Sequence, residues 1–423
     1  MWMSLERSIM CRQSSTALSR TISGRYSRRK FPHLGSIRTL SVQASLPNVD
    51  ETTEREAHNH YKNATLHPRA FHVFYNDVYE VPLPPNHRFP MNKYRLVRER
   101  IQKCILSQQL IPNKEIGILK VRPNIEFVVS PLATVEELLT THDAHYIERF
   151  LSGNQTQAEQ RNVGFPWSPQ GVDRALSSVG GTLAAARFVC DHQQQLLQNE
   201  SFTQQQSTVS SAPAWAAHVA GGTHHAFYDY GEGFSVFSDM AVAANVILQE
   251  YSHIRNILLL DLDVHQGNGN AVLFQKQPRV FTFSMHCSGN YFSPKQQSDL
   301  DIELPIGCND STYLMTLHHW LKEFKKRHQC GDFSIDLILF QAGVDILETD
   351  RLGRMSLTPE GVRRRNEMVY QFVDSLQVPL VICMGGGYPK RTKSDEEDGW
   401  EEIIDAHATV YLQAYEFLAN HET

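Results

Sequence analysis

Four apolar runs in this chain each end in polar chemistry: AWAAHVAGGTHHA, NILLLDLDVHQGN, LILFQAGVD and PLVICMGGGY. A strand with one wet face alternates apolar and polar residues. A strand apolar at every position is buried on both faces, the mark of a parallel sheet covered by helices. RVFTFSMH, FHVFYN and IEFVVS read as further strands, separated by helical patterns. NKYRLVRERIQKCILSQ places Val97, Ile101, Cys104 and Ile105 on one helical face. TVEELLTTHDAHYIERFL starts at a threonine cap, and QGVDRALSSVGGTLAAARFVC is a helix of small residues. The expectation is one α/β domain over residues 60–423, a mostly parallel sheet with helices on both faces. Such sheets bind ligands beyond the carboxyl ends of their strands, where these polar residues fall.

Asp261, Asp263 and His265 stand at alternate positions of LLLDLDVHQGN. If strand geometry persists, they line one side and converge. Two buried carboxylates repel, so a positive group is expected among them. The other strand endings are weak signals one at a time. His224–His225 is a loop pair, and Asp345 has the form of a helix cap. Gly385-Gly386-Gly387 and GNGN both lack the phosphate-loop pattern. A calcium site or a satisfied hydrogen-bond network could use Asp-x-Asp-x-His as well. Their recurrence at strand ends of one sheet favours a metal. Asp263, His265 and Asp345 offer two carboxylates and an imidazole, balancing a divalent charge. Three protein ligands and an open fourth position describe a catalytic zinc that activates water. His224 and His225 would then move protons, and Tyr388 would donate to a developing oxyanion.

Composition narrows the alternatives. No apolar stretch reaches the ~20 residues that span a bilayer. The seven cysteines are odd in number and form no Cys-x-x-Cys pair, against both a disulfide framework and a thiolate zinc site. Residues 1–45 hold seven arginines and Lys30 against one acid, Glu6, with many serines. That composition predicts a mitochondrial or chloroplast transit peptide; a disordered basic tail on a nuclear or cytoplasmic protein is the alternative. The whole chain carries −6; without eight positive charges and one negative, the remainder carries −13. An acidic body is a poor ligand for nucleic acid. Residues 191–213, rich in Gln and Ser, read as a surface insertion without chemistry.

GGTHHAFYDYGEGF, LLLDLDVHQGNGN, FSMH, AGVDILETDRLGRMSLT and GGGY together resemble the histone deacetylase family, of the arginase–deacetylase fold. LPPNHRFPMNKYRLVRERI, QGNG and GGYPKRT are similar to the class IV branch and to bacterial and plant members. The resemblance implies zinc on Asp263, His265 and Asp345, and hydrolysis of an acyl-lysine amide in a protein or peptide. It implies that His224 pairs with Asp261, that His225 is the principal base and later acid, and that Tyr388 polarises the carbonyl. Gly233, Phe234 and Phe292 would line the tunnel for the acyl-lysine stem. Asp261, Asp263, His265, Ser284 and the Met285 carbonyl would hold a monovalent cation, potassium. Asn268 departs from the aspartate that class I and II enzymes place against the second histidine, a change class IV members share. An acetylpolyamine-type amidohydrolase and a non-catalytic acyl-lysine-binding scaffold are the rival readings.

Overall fold

The computed structural model describes residues 70–84, 87–109, 124–202, 212–290, 293–390 and 400–421. The basic N-terminal segment 1–45 and Phe292 lie outside the described residues. Among the described residues the strands are β1 (Ala70–Tyr75), β2 (Asn124–Val129), β3 (Trp215–His218), β4 (Ile257–Asp261), β5 (Val280–Cys287), β6 (Leu300–Leu304), β7 (Leu337–Gln341) and β8 (Leu380–Cys383). They form one sheet in the order β2-β1-β3-β8-β7-β4-β5-β6. Every neighbouring pair is parallel. β6, with the sequence LDIEL, was not foreseen: it is an edge strand, mostly half-exposed, and so has no continuous apolar run to betray it.

Both faces of the sheet are covered, and β4 shows how. Leu258 and Leu260 enter the core on one side, while Ile257 and Leu259 enter the core on the other. The first core is closed by α1 (Lys93–Gln109), α8 (Asp310–Gln329), α9 (Pro359–Leu376) and α10 (Trp400–His421). The second is closed by α2 (Val135–Leu139), α3 (Ala144–Leu151), α4 (Gln157–Val163), α5 (Pro169–Phe202) and α6 (Asp239–Glu250). A short α7 (Asn268–Phe274) follows β4. On α1, Val97, Ile101 and Ile105 are buried and Cys104 is half-buried.

Local chemistry sets the helix starts. Thr134 caps α2 and Thr156 caps α4, each in a reciprocal box with a glutamate three residues on. Asp143 caps α3, dividing the TVEELLTTHDAHYIERFL segment in two. Thr358 caps α9 just ahead of Pro359, whose missing N–H costs nothing at a helix start.

One expectation needs correction. Residues 191–202, read as the front of a surface insertion, continue α5. His192 is buried there, and Tyr251 donates to Asp191 at 2.7 Å. Gln, Leu and Glu are good helix formers and no Pro or Gly intervenes, so polarity alone did not end the helix. Residues 203–211 lie outside the described residues. No helix among the described residues is long and apolar enough to cross a membrane.

Candidate active site

The strands whose ends carry the chemistry, β3, β8, β7 and β4, are neighbours at the middle of the sheet. Their carboxyl ends therefore open onto one place. Strand geometry does not persist past Asp261, as convergence by alternation would have required. Instead each carboxylate folds the chain behind it. Asp263 N–H donates to Asp261 Oδ1 at 3.1 Å, and His265 N–H to Asp263 Oδ1 at 3.0 Å. These turns set Asp263 against His265, while Asp261 faces His224. From β7, Asp345 accepts the Val264 N–H at 3.0 Å. From β8, Gly386 N–H donates to Asp263 Oδ2 at 2.8 Å. A Cβ on Gly386 would stand 1.9 Å from Asp345 Oδ2, which explains the glycine run as a close approach of backbone to carboxylates.

Ligand atoms of Asp263, His265 and Asp345 lie within 4.8 Å of one another. His265 Nδ1 is 3.1 Å from Asp263 Oδ1 and 3.2 Å from Asp345 Oδ2. Tetrahedral ligands at ~2.0–2.1 Å from a zinc ion stand roughly 3.3 Å apart, so the spacing suits such an ion. Electrostatics agree. Burial opposes a charge on His265, yet hydrogen bonds and charges from Asp263 and Asp345 push it up to about 10. Burial and the Asp263 charge push Asp345 up to about 6. The two buried carboxylates call for positive charge between them, and the donor set fits a divalent metal.

His224 and His225 are both buried, with ring centroids 4.0 Å apart, but have different partners. His224 Nδ1 is 2.7 Å from Asp261 Oδ2. Burial lowers its pKa, but the Asp261 and Asp263 charges outweigh that and raise it to about 9. His225 Nδ1 is 2.7 Å from Asn268 Oδ1. That oxygen also accepts the Gly269 N–H at 3.0 Å, which identifies it as the amide's acceptor. Nδ1 of His225 must then carry the proton, which makes Nε2 the basic nitrogen of the ring. Burial, followed by the charges of His224 and His265, holds His225 well below the ordinary range. One histidine is held charged and its neighbour neutral, the split that separates acid from base roles.

Tyr388 follows the glycine run and is nearly buried. Burial and the charges of Asp345 and Asp263 keep its phenol protonated, a donor. Its ring stands 6.5 Å from Phe89 and 6.1 Å from Phe234. Phe234 has φ +66 and Gly233 φ +55. A left-handed phenylalanine is strained by the order of 1 kcal/mol or more. The end of α4 holds it there: Gly233 N–H donates to Asn162 O and Phe234 N–H to Val163 O, at 3.0 and 2.8 Å. Ser284 lies opposite Asp261 in the sheet register, with its hydroxyl 2.9 Å from His286 Nδ1. Met285 next to it is fully buried.

Three residues that sequence reasoning passed over support this arrangement. Lys93 is buried with Nζ 3.1 Å from the Gly387 carbonyl and 5.0 Å from the Tyr388 ring centre. Asp350 accepts the Tyr388 N–H at 2.6 Å. Asp239 accepts the N–H groups of Gly222 and Thr223 at 2.9 and 2.7 Å, fixing the turn before the two histidines. Lys93 carried the signal of a surface helix residue and Asp239 that of a helix start. Asp350 lay inside the quoted AGVDILETDRLGRMSLT stretch without a distinguishing mark.

A sequence model of the histone deacetylase domain matches residues 87–405. An uncharacterized protein of Picosynechococcus sp. is 37% identical over 321 residues, covering 76% of this chain and 93% of its own. Histone deacetylase 2 of Arabidopsis thaliana is 25% identical over 353 residues, 78% of each chain. The crystal structure of an HDAC homolog from Aquifex aeolicus superposes with a TM-score of 0.58 at 20% identity, covering 82% of this chain and 84% of that one. That likeness establishes the fold. With the domain match spanning most of its length, the chain belongs to the histone deacetylase family, hydrolases that act on amides.

Proposed function

We propose that the chain is a zinc-dependent protein lysine deacylase that hydrolyses the amide of an acyl-lysine. The observation that supports this most is the Asp263–His265–Asp345 trio beside one charged and one neutral histidine. Zinc, when bound by these three side chains, polarises the amide carbonyl and makes a water a ready nucleophile. Nε2 of His225 takes the proton of the attacking water, since its Nδ1–H is committed to Asn268. The imidazolium so formed returns that proton to the lysine amine as the C–N bond breaks. His224, charged against Asp261, keeps positive charge beside the developing oxyanion, and the Tyr388 phenol donates to it. Gly233 and Phe234 would wall the tunnel for the lysine stem. Asp261, Asp263, His265, Ser284 and Met285 would hold potassium. Asn268, with QGNG, favours the class IV branch.

Hydrolysis of a panel of acyl-lysine peptides of increasing chain length, against free acetylpolyamine, tests the reading. Peptide turnover should exceed acetylpolyamine turnover for at least one acyl group. Equal or better rates on the polyamine would turn the assignment to a small-amide amidohydrolase.

The neutral partner of His225 makes a pH prediction. Asn268→Asp adds a negative charge 2.7 Å from Nδ1 and stabilises the imidazolium. The folded pKa of His225 rises, so the base stays protonated to higher pH. The acidic limb of kcat/KM should move up by about one unit, each unit being ~1.4 kcal/mol. Zinc content should not change. An unmoved limb with zinc intact would mean that His225 is not the base.

A further inference from the structure

A groove of about 710 Å³ adjoins the residues proposed to wall the tunnel, lined in part by His87, Arg88, Gln157, Arg161, Gly233 and Phe234. We propose that this groove is a docking surface for acidic residues flanking the acyl-lysine of a polypeptide substrate. The inference rests on the deacylase reading above and adds a substrate class to it.

The charges argue for that occupant. Arg88 and Arg161 are exposed, and neither guanidinium has an ion pair or side-chain hydrogen bond among the described residues. No carboxylate is among the residues that line the groove. Of the acids close to it in sequence, Glu159 pairs with Arg149 at 2.8 Å, Glu232 is buried, and Asp229 is exposed but does not line the groove. Two uncompensated arginines thus stand on a chain that carries −6 as a whole. A duplex needs many phosphates neutralised at once, which two arginines on an acidic body do not supply. A few carboxylates on a peptide need no more than this, and arginine presents its donors as a fork that matches them.

The groove is built onto the candidate site. The end of α4 lines it, and the Asn162 and Val163 carbonyls there accept from Gly233 and Phe234. His87 Nε2 lies 3.0 Å from the carbonyl of Gly164, which also lines the groove. A peptide advances ~3.3 Å per residue when extended. Residues two or three places from the acyl-lysine would therefore lie within about 10 Å of the tunnel mouth, over the groove. Acidic flanks meet opposite charge there, whereas a Lys- and Arg-rich flank, such as a histone tail carries, meets like charge.

The full chain should be assayed at low salt on acyl-lysine peptides flanked by Asp/Glu or by Lys/Arg, with an unflanked acyl-lysine fluorogenic amide as reference. kcat/KM should favour the acidic flank by on the order of tenfold, and the preference should shrink with added salt. In Arg88→Glu/Arg161→Glu it should vanish or reverse, while the unflanked amide is hydrolysed as before. Equal rates on both flanks in the unaltered chain, or a preference that survives in the double variant, would overturn the inference and leave the deacylase reading standing. If no unflanked amide is hydrolysed, that reading fails, and peptide affinity by fluorescence anisotropy decides the groove by itself. Binding of an oligonucleotide that the double variant loses, with no flank preference, would assign the groove to nucleic acid instead.

Discussion

Replacing Asp345 by alanine is expected to remove both the bound metal and the hydrolytic activity. Asp345 Oδ2 is buried without a well-formed hydrogen bond and faces His265 Nδ1 at 3.2 Å, the position of a ligand atom beside a ligand atom. Loss of an outer partner of a metal ligand costs 10–100-fold in affinity or activity, and loss of a ligand should exceed about 100-fold in both. Alanine also deletes the acceptor of the Val264 N–H, so Asp345→Asn serves as a second variant that keeps this bond. It should lose metal too. In metal-free protein Asp263 still faces His265 at 3.1 Å, so the variant should fold with the circular dichroism spectrum of the metal-free parent. Elemental analysis and circular dichroism read these outcomes. Full metal content in either variant would mean that the ligand set is wrong.

The second large effect is expected at Tyr388. Tyr388→Phe deletes one hydroxyl and should lower kcat by about 100-fold or more, the usual cost of an oxyanion donor. KM and metal content should change little. The ring's neighbours stay in place, because the backbone is held at both ends: Asp350 accepts its N–H, and the Arg351 N–H donates to its carbonyl at 2.9 Å. Steady-state kinetics on one acyl-lysine peptide read the effect. A kcat within about threefold of the parent would place the phenol away from the reacting carbonyl.

The fold and the candidate residues were legible to different depths. Continuous apolar runs reveal burial on both faces because the side-chain period of a strand is local, and β4 bears this out residue by residue. Thr134 could be read as a cap for the same reason, since its partner lies three residues away. The meeting of Asp263 with His265 is local too, although it proceeds by carboxylate-held turns and not by a continued strand. The continuation of α5 through residues 191–202 is not visible in a Gln- and Ser-rich composition, because helix propensity and the packing of His192 decide it.

The sequence by itself determined a parallel α/β sheet and the identity of the residues at its strand ends. Both follow from patterns that repeat within a few residues. Only the tertiary structure decided what those residues are. His224 and His225 are chemically identical neighbours in the chain, yet partners 37 and 43 residues away, Asp261 and Asn268, hold one charged and one neutral. Lys93, an ordinary lysine of an amphipathic helix, is buried against a carbonyl 294 residues further on. Phe234 keeps a left-handed backbone because the end of α4 holds it. Charge state, tautomer and strain depend on burial and on what lies within about 4 Å, and chain folding alone sets those distances.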